Sequence, residues 1–227
     1  MARGQGDGET PDPAAATLSE AELTVVQNES LIHRRREQIC QAALELFLEK
    51  GFASTTIRDI CAKSGVNQAS IYDYIANKND ILRRLLNQLW FNPDVPTLPE
   101  MLRAAPEAGF EEVLRRYLRE AWEKKRKGTL LVYRSVPHML EEDRRAMRVR
   151  DKALLADLSG ELAERVGLRE RDPRTEVMAN MIIFMTAFGP MRDWLTRDVE
   201  DEVMLDVVAA GVAAMVARLA ESAGEDG

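Results

Sequence analysis

An all-α fold is expected from three observations. Residues 53–81 carry the pattern of two short helices joined by a tight turn, with a third helix starting behind them. Beyond residue 100 apolar side chains recur at helical spacing, and no convincing strand alternation appears. The last two periodic segments, 173–196 and 200–220, are apolar on nearly every side, which requires burial in a bundle. The chain divides into a tail over 1–28, a helix-turn-helix domain over 29–90 and a second helical domain over 91–222.

Residues 1–28 are rich in Gly, Pro, Ala and acid and have little to bury, so a disordered tail is expected. The tail lacks the apolar run of a signal peptide. The longest uncharged run, Val177 to Met191, is shorter than the ~20 residues of a membrane span. A cytoplasmic protein with no membrane partner is the expectation. The first helix, from about Leu31 to Lys50, buries Ile39, Ala42, Ala43, Leu46 and Phe47. His33-Arg34-Arg35-Arg36 lies at its start, where positive charge opposes the helix dipole. A phosphate backbone alongside would relieve that cost.

Thr55 or Thr56 can cap the next helix, whose Ile57, Ile60 and Cys61 share one face. It stops at Lys63-Ser64-Gly65, since glycine enters the left-handed region without steric cost. Asn67 can cap a short helix over 68–75 that turns Ile71 and Ile75 inward. Gln68, Ser70, Tyr72, Asp73 and Tyr74 are left facing elsewhere, a surface poor for packing and suited to DNA. A further helix from Lys78 carries Ile81, Leu82, Leu85, Leu86 and Leu89 and ends near Pro93. Prolines 93, 96 and 99 mark the domain boundary. Helices are then expected over 110–127, 129–139, 141–166, 173–196 and 200–220.

These residues resemble the DNA-binding domain of the tetracycline-repressor (TetR) family of transcriptional regulators. The match runs over roughly Arg34 to Leu86, through Ala43, Phe47, Gly51-Phe52, Thr55-Thr56, Ile57, Ile60, Gly65-Val66, Ser70, Ile71-Tyr72, Tyr74 and Lys78. Cys61 and Ala69 stand where the family more often has alanine and glycine, and Asp73 places an acid on the reading helix. The resemblance implies a homodimer on a palindromic DNA operator and a C-terminal domain that binds a small-molecule effector and dimerises. It places Arg58, Gln68 and Ser70 at base edges, and Thr56, Tyr72, Tyr74 and Lys78 at phosphates. The chemistry agrees in kind: arginine pairs with guanine, glutamine with adenine, and lysine is a phosphate charge.

Charge is distributed to match. The net charge is −7, yet residues 30–90 hold nine bases and six acids, net +3, between flanks that are each net −5. Cys40 and Cys61 fall on apolar faces, so buried free thiols are expected rather than a disulfide. No Gly-rich phosphate loop, G-x-S-x-G elbow or H-E-x-x-H occurs, and neither His33 nor His138 has a ligand cluster. No enzyme, metal or cofactor is expected. The alternative is a helical protein-interaction module with a degenerate DNA-binding domain, for which Asp73 is the support.

Dimerisation is expected through 173–220, where Met178, Met181, Ile182, Met185 and Phe188 line one helix and Met204, Val207, Val208, Gly211, Val212, Met215 and Leu219 line the next, with alanines between them. Leu114, Tyr117, Leu118, Tyr133, Met181, Met185 and Phe188 are the expected effector-pocket lining. Arg134, inside an apolar run, needs an anionic partner if buried. It is assigned to the head group of an amphipathic effector, with an acyl-CoA as the leading class and an aromatic or drug-like apolar effector that makes no use of Arg134 as the alternative. The run Leu131 to Glu142 resembles the matching segment of acyl-CoA-responsive members of the family.

Overall fold

The computed structural model of the protein describes residues 17–22, 29–91 and 95–225. The described residues form helices and no strand: α1 (Glu29–Lys50), α2 (Ile57–Ser64), a 3-10 turn (Ile71–Asp73), α3 (Lys78–Leu89), α4 (Leu98–Ala104), α5 (Phe110–Lys124), α6 (Arg126–Ser135), a second 3-10 turn (Val136–His138), α7 (Glu141–Val166), α8 (Pro173–Thr196) and α9 (Asp201–Glu225). The all-α expectation therefore holds.

The caps explain the boundaries of the N-terminal unit. Thr56 is the N-cap of α2: its hydroxyl accepts from the Asp59 amide, and Asp59 accepts from the Thr56 amide in return. Thr55 is buried instead, its hydroxyl donating to the Gly51 carbonyl at 2.8 Å. Gly65 closes α2 at φ +71°, as its place after Lys63-Ser64 predicts. Asn77 caps α3 through the Asp80 amide.

α4 was not foreseen in the proline-marked stretch. Its signal is Thr97-x-x-Glu100, a capping box with both bonds made and Pro99 in the first turn. Leu98, Met101 and Leu102 are buried on one side of this short helix.

Two apolar cores run through the chain. One joins Ile39, Ala43, Phe47, Ile60, Ile71, Ile75, Ile81 and Leu86 of the N-terminal unit to Leu131 and Val132 of α6, Met139 after the second 3-10 turn and Met147 of α7. It therefore crosses the boundary expected at residue 90. The second lies within α4, α5, α7, α8 and α9 and holds Leu114, Leu118, Trp122, Leu158, Ile182, Leu205 and Val212. Close approach ties the two parts: a Cβ on Gly128, in the first turn of α6, would lie 2.3 Å from the Leu89 carbonyl oxygen at the end of α3. Only glycine allows α6 to start there.

Of the expected tail, residues 1–16 and 23–28 lie outside the described residues. Residues 17–22 pack, contrary to a disordered reading. Leu18 is only 3% exposed. Its amide donates to Asn87 Oδ1 and its carbonyl accepts from Asn87 Nδ2, both at 2.9 Å. The Ala21 amide donates to Asp80 Oδ1, and Arg84 reaches both Glu20 and the Ala21 carbonyl. An extended strap thus satisfies its backbone on α3. One leucine among Gly, Pro and acid carried too little periodic signal to reveal it.

Candidate nucleic-acid interface and effector cavity

α2 and the segment after it form the candidate DNA-reading unit. Two ion pairs hold α2 on α1: Lys50 with Asp59 at 2.7 Å, and Lys63 with Glu45 at 2.8 Å. The Lys50 ammonium and the Thr56 bonds hold the Asp59 carboxyl well below its usual range. Arg58 in the first turn of α2 is exposed, as are Gln68, Asp73 and Tyr72, the last at 54%. Thr56 is exposed too, while its hydroxyl is engaged with Asp59.

The reading segment is shorter in helix than expected. In place of an α-helix over 68–75, Asn67 opens a turn in which its side chain accepts from the Ala69 amide and its carbonyl from Ser70 N and Oγ. A 3-10 turn over Ile71–Asp73 follows. Asn67 and Ser70 compete for backbone hydrogen bonds and tighten the chain locally. Ile71 and Ile75 are still fully buried, and Gln68, Tyr72 and Asp73 stay exposed as expected. Ser70 is half-buried, with its hydroxyl donated at 3.2 Å to Asn67. Tyr74 packs on the first core, and its carbonyl accepts from Arg36 Nε at 2.9 Å.

Lys78, expected at a phosphate, has its ammonium engaged within the chain. Its Nζ donates to the carbonyls of Phe52 and Thr55, each at 2.8 Å, and lies 4.4 Å from the centre of the Phe52 ring. Burial lowers its pKa. The ammonium closes the α1–α2 corner from inside rather than reaching outward. Sequence reasoning sees a lysine at a helix start and cannot see two carbonyls facing it.

A cavity of about 540 Å3 lies between α3, α6, α7 and α8. Trp90 closes it at the end of α3, Val132 and Tyr133 line it from α6, Val136 and Pro137 from the second 3-10 turn, and Asn180 and Ile183 from α8. α7 supplies Arg144, Met147, Arg148, Asp151, Lys152, Leu154 and Leu155. Of the eight residues expected at the effector site, Tyr133 alone lines this cavity. Its ring meets Phe184 edge-on at 6.3 Å between centroids. Leu114 and Leu118 are fully buried in the second core, and Tyr117, Met185 and Phe188 pack against that core. Burial pushes the Tyr117 hydroxyl up to about 12. Met181 is exposed on the outside of α8.

Arg134 is exposed and donates to the Leu48 carbonyl on α1. It is neither buried nor in the cavity, because the helical turn aims it across the domain boundary. What sequence reasoning missed was α7: an i, i+4, i+8 row of Arg144, Arg148 and Lys152 reads as a solvated face until α8 folds over it.

The cavity wall is tied directly to α3. Arg83 Nε donates to both carboxylate oxygens of buried Asp143, at 2.8 and 3.0 Å, and the same guanidinium pairs with Glu142. Met147 and Val132 belong at once to the cavity wall and to the first core. Asp80 of α3 meanwhile accepts from the Ala76 amide at 3.1 Å, immediately after the reading segment.

Residues 39–85 match the family model for bacterial regulatory proteins of the tetR family. Over that segment the chain is similar to the tetR family. The HTH-type transcriptional regulator HbdR of Aromatoleum sp. (strain CIB) is 31% identical over 137 residues, 57% of this chain and 56% of its own. The HTH-type transcriptional repressor Rv3405c of Mycobacterium tuberculosis is 41% identical over 51 residues, 22% of this chain and 27% of its own. The chain thus spans about half of the first relative and about a quarter of the second. The fold is shared with a tetR-family protein from Rhodococcus RHA1, at TM-score 0.61 and 16% identity over 82% of this chain and 97% of that one. It is shared as well with FadR of Bacillus subtilis, solved in complex with stearoyl-CoA, at TM-score 0.52 and 21% identity over 79% and 96%.

Proposed function

We propose that this protein is a homodimeric tetR-family repressor that binds a palindromic operator and is released by an amphipathic effector of acyl-CoA class. The observation that carries the DNA half is the reading unit itself. Arg58, Gln68 and Tyr72 are left exposed on a segment whose apolar side is fully buried, in the one net-basic part of the sequence. Asp73 does not disable this surface; it limits which of its neighbours meet phosphate. Relatives include proteins described as a regulator and as a repressor.

The dimer half rests on α8 and α9. Val177, Met181, Phe184, Met191, Trp194 and Leu195 of α8 and Val203 and Val207 of α9 are exposed on one chain. An apolar face of this extent marks a contact surface. The window Asp201–Gly224 is long and apolar enough to cross a membrane. Its inner side instead packs Leu205, Ala209, Val212 and Val216 on the second core. A second copy covers the other side and sets the two reading units on adjacent half-sites.

The effector half rests on the cavity and its ties. An apolar chain gains ~0.8 kcal/mol per buried CH2 there, and FadR, of the same fold, holds stearoyl-CoA. A ligand between α7 and α8 touches Met147, one turn along α7 from Asp143. Asp143 holds α3 through Arg83, and α3 begins at Lys78, two residues after Ala76, whose amide donates to Asp80. A 100-fold release needs about 2.7 kcal/mol of preference for the shifted state.

The test is operator retardation by the wild type and by Val207→Glu. Val207 is 67% exposed on the single chain, so the charge spares the monomer fold. The expected result is a folded monomer by light scattering that no longer retards the operator. A Val207→Glu dimer with wild-type affinity refutes the proposed interface, and a wild type that footprints no promoter DNA refutes the regulator reading.

A further inference from the structure

The unpaired cations of α7 point to a site that the sequence did not assign. We infer that Arg148 and Lys152 form an anion-binding site at the rim of the effector cavity, and that the effector's head is phosphate-bearing. The inference rests on the effector reading above and adds where the head group lies and what charge it carries.

Arg144, Arg148 and Lys152 stand at successive i, i+4 positions on α7, and all three line the cavity. Arg144 is spoken for: it donates to the Met139 carbonyl at 2.7 Å and pairs with Glu141 at 2.7 Å. Among the described residues, neither Arg148 nor Lys152 has an ion-pair partner. Other charges of α7 are tied: Arg145 to Glu141, Asp143 to Arg83, Asp157 to Arg103 and Glu161 to Arg165. The helix therefore neutralises much of its charge elsewhere and leaves two cations one turn apart where it faces the cavity. Like charges at this spacing repel each other. Asp151 is the acid in the lining, and desolvation holds its carboxyl above the usual range. It sits beside Arg150, whose guanidinium stacks 4.4 Å over Phe91.

The geometry selects the ligand class. Apolar walls from Val132, Val136, Met147, Leu154, Leu155 and Ile183 accept a hydrocarbon chain. Two uncompensated cations at one edge match a group with at least two negative charges. A single carboxylate can bridge two such cations, as Glu202 does between Arg115 and Arg119, but it neutralises only one of the two charges. Arginine binds phosphate through paired N–H donors, and lysine adds a mobile point charge. A diphosphate or phosphomonoester on an apolar tail satisfies both. Arg134, on the opposite side of α6 against α1, takes no part.

The experiment is calorimetric titration of the full-length protein with palmitoyl-CoA, palmitate and hexadecanol. The proteins are wild type, the double variant Arg148→Ala/Lys152→Ala, and Arg145→Ala as a charge control outside the cavity. The expected result is palmitoyl-CoA binding weakened about 10-fold or more in the double variant, unchanged in Arg145→Ala, and weakened in the wild type by added salt. Hexadecanol affinity stays the same in all three. Equal palmitoyl-CoA affinity in wild type and double variant overturns the anion site and leaves the effector reading standing. Palmitate binding as tightly as palmitoyl-CoA, with the same dependence on both residues, overturns the phosphate-bearing head. No binding of any of the three probes by the wild type overturns the effector class and the site with it, while operator retardation reports separately on the DNA reading.

Discussion

Replacing Lys78 by methionine separates two roles for one ammonium. Methionine keeps most of the stem and removes the charge. What is lost is a pair of 2.8 Å hydrogen bonds to the Phe52 and Thr55 carbonyls and the contact over the Phe52 ring. Hydrogen bonds to a charged group contribute roughly 1.5–3 kcal/mol each. Desolvation, which lowers the Lys78 pKa, cancels part of that gain. The net loss expected for Lys78→Met is about 2–3 kcal/mol. In a chain of this size that corresponds to a fall in Tm of about 4–12 °C. Far-UV circular dichroism on heating measures it. The salt dependence of operator binding, taken well below the variant's Tm, should be unchanged, because a committed ammonium releases no counterion from phosphate. A variant within about 0.5 kcal/mol of wild type whose salt slope falls by about 0.9 would refute this reasoning and restore Lys78 as a phosphate contact.

Two further outcomes are expected. Leu18→Ala should lower stability in urea by about 2 kcal/mol, because a buried leucine side chain leaves a cavity under the strap; an unchanged unfolding midpoint would mean that residues 17–22 do not hold α3. Lys125→Met should raise Tm at pH 7, and the gain should shrink as pH rises from about 8 towards 10.5. Burial pushes the Lys125 ammonium down to about 8 from 10.5. Between those values the unfolded chain binds more protons than the folded one, so wild-type stability recovers as pH rises. A pH-independent difference in Tm would show that packing, not charge, sets it.

The helix-turn-helix was legible in the linear chain because its determinants are local. Thr56 and Asp59 sit three residues apart, Gly65 must end α2, and the Ile71/Ile75 pair must face inward whatever the rest of the chain does. The buried state of Cys40 and Cys61 followed from the same periodicity; burial pushes the Cys40 thiol up to about 12. Helices α7 and α8 kept their expected bounds, since Gly167 and Pro173 stop and start them. The 3-10 form of the reading segment escaped, because hydrogen bonds from Asn67 and Ser70 to nearby backbone compete with helix at a spacing that hydrophobic pattern does not record.

Pairing between distant segments was not legible. Arg134 lies in an apolar run and reads as buried, yet its partner is a carbonyl 86 residues away on α1. Leu114, Tyr117 and Leu118 read equally well as pocket or core, and the packing of α5 on α9 makes them core. The strap, the Lys78 clamp, the Arg83–Asp143 tie and the charged rim of the cavity each join residues far apart in sequence. Sequence by itself determined which residues form helices and which face of each is apolar, because caps, glycine conformation and a 3.6-residue period act within a few turns. Only the tertiary structure decided which apolar faces meet each other and which are left to line a cavity, because that choice depends on the packing of several helices at once.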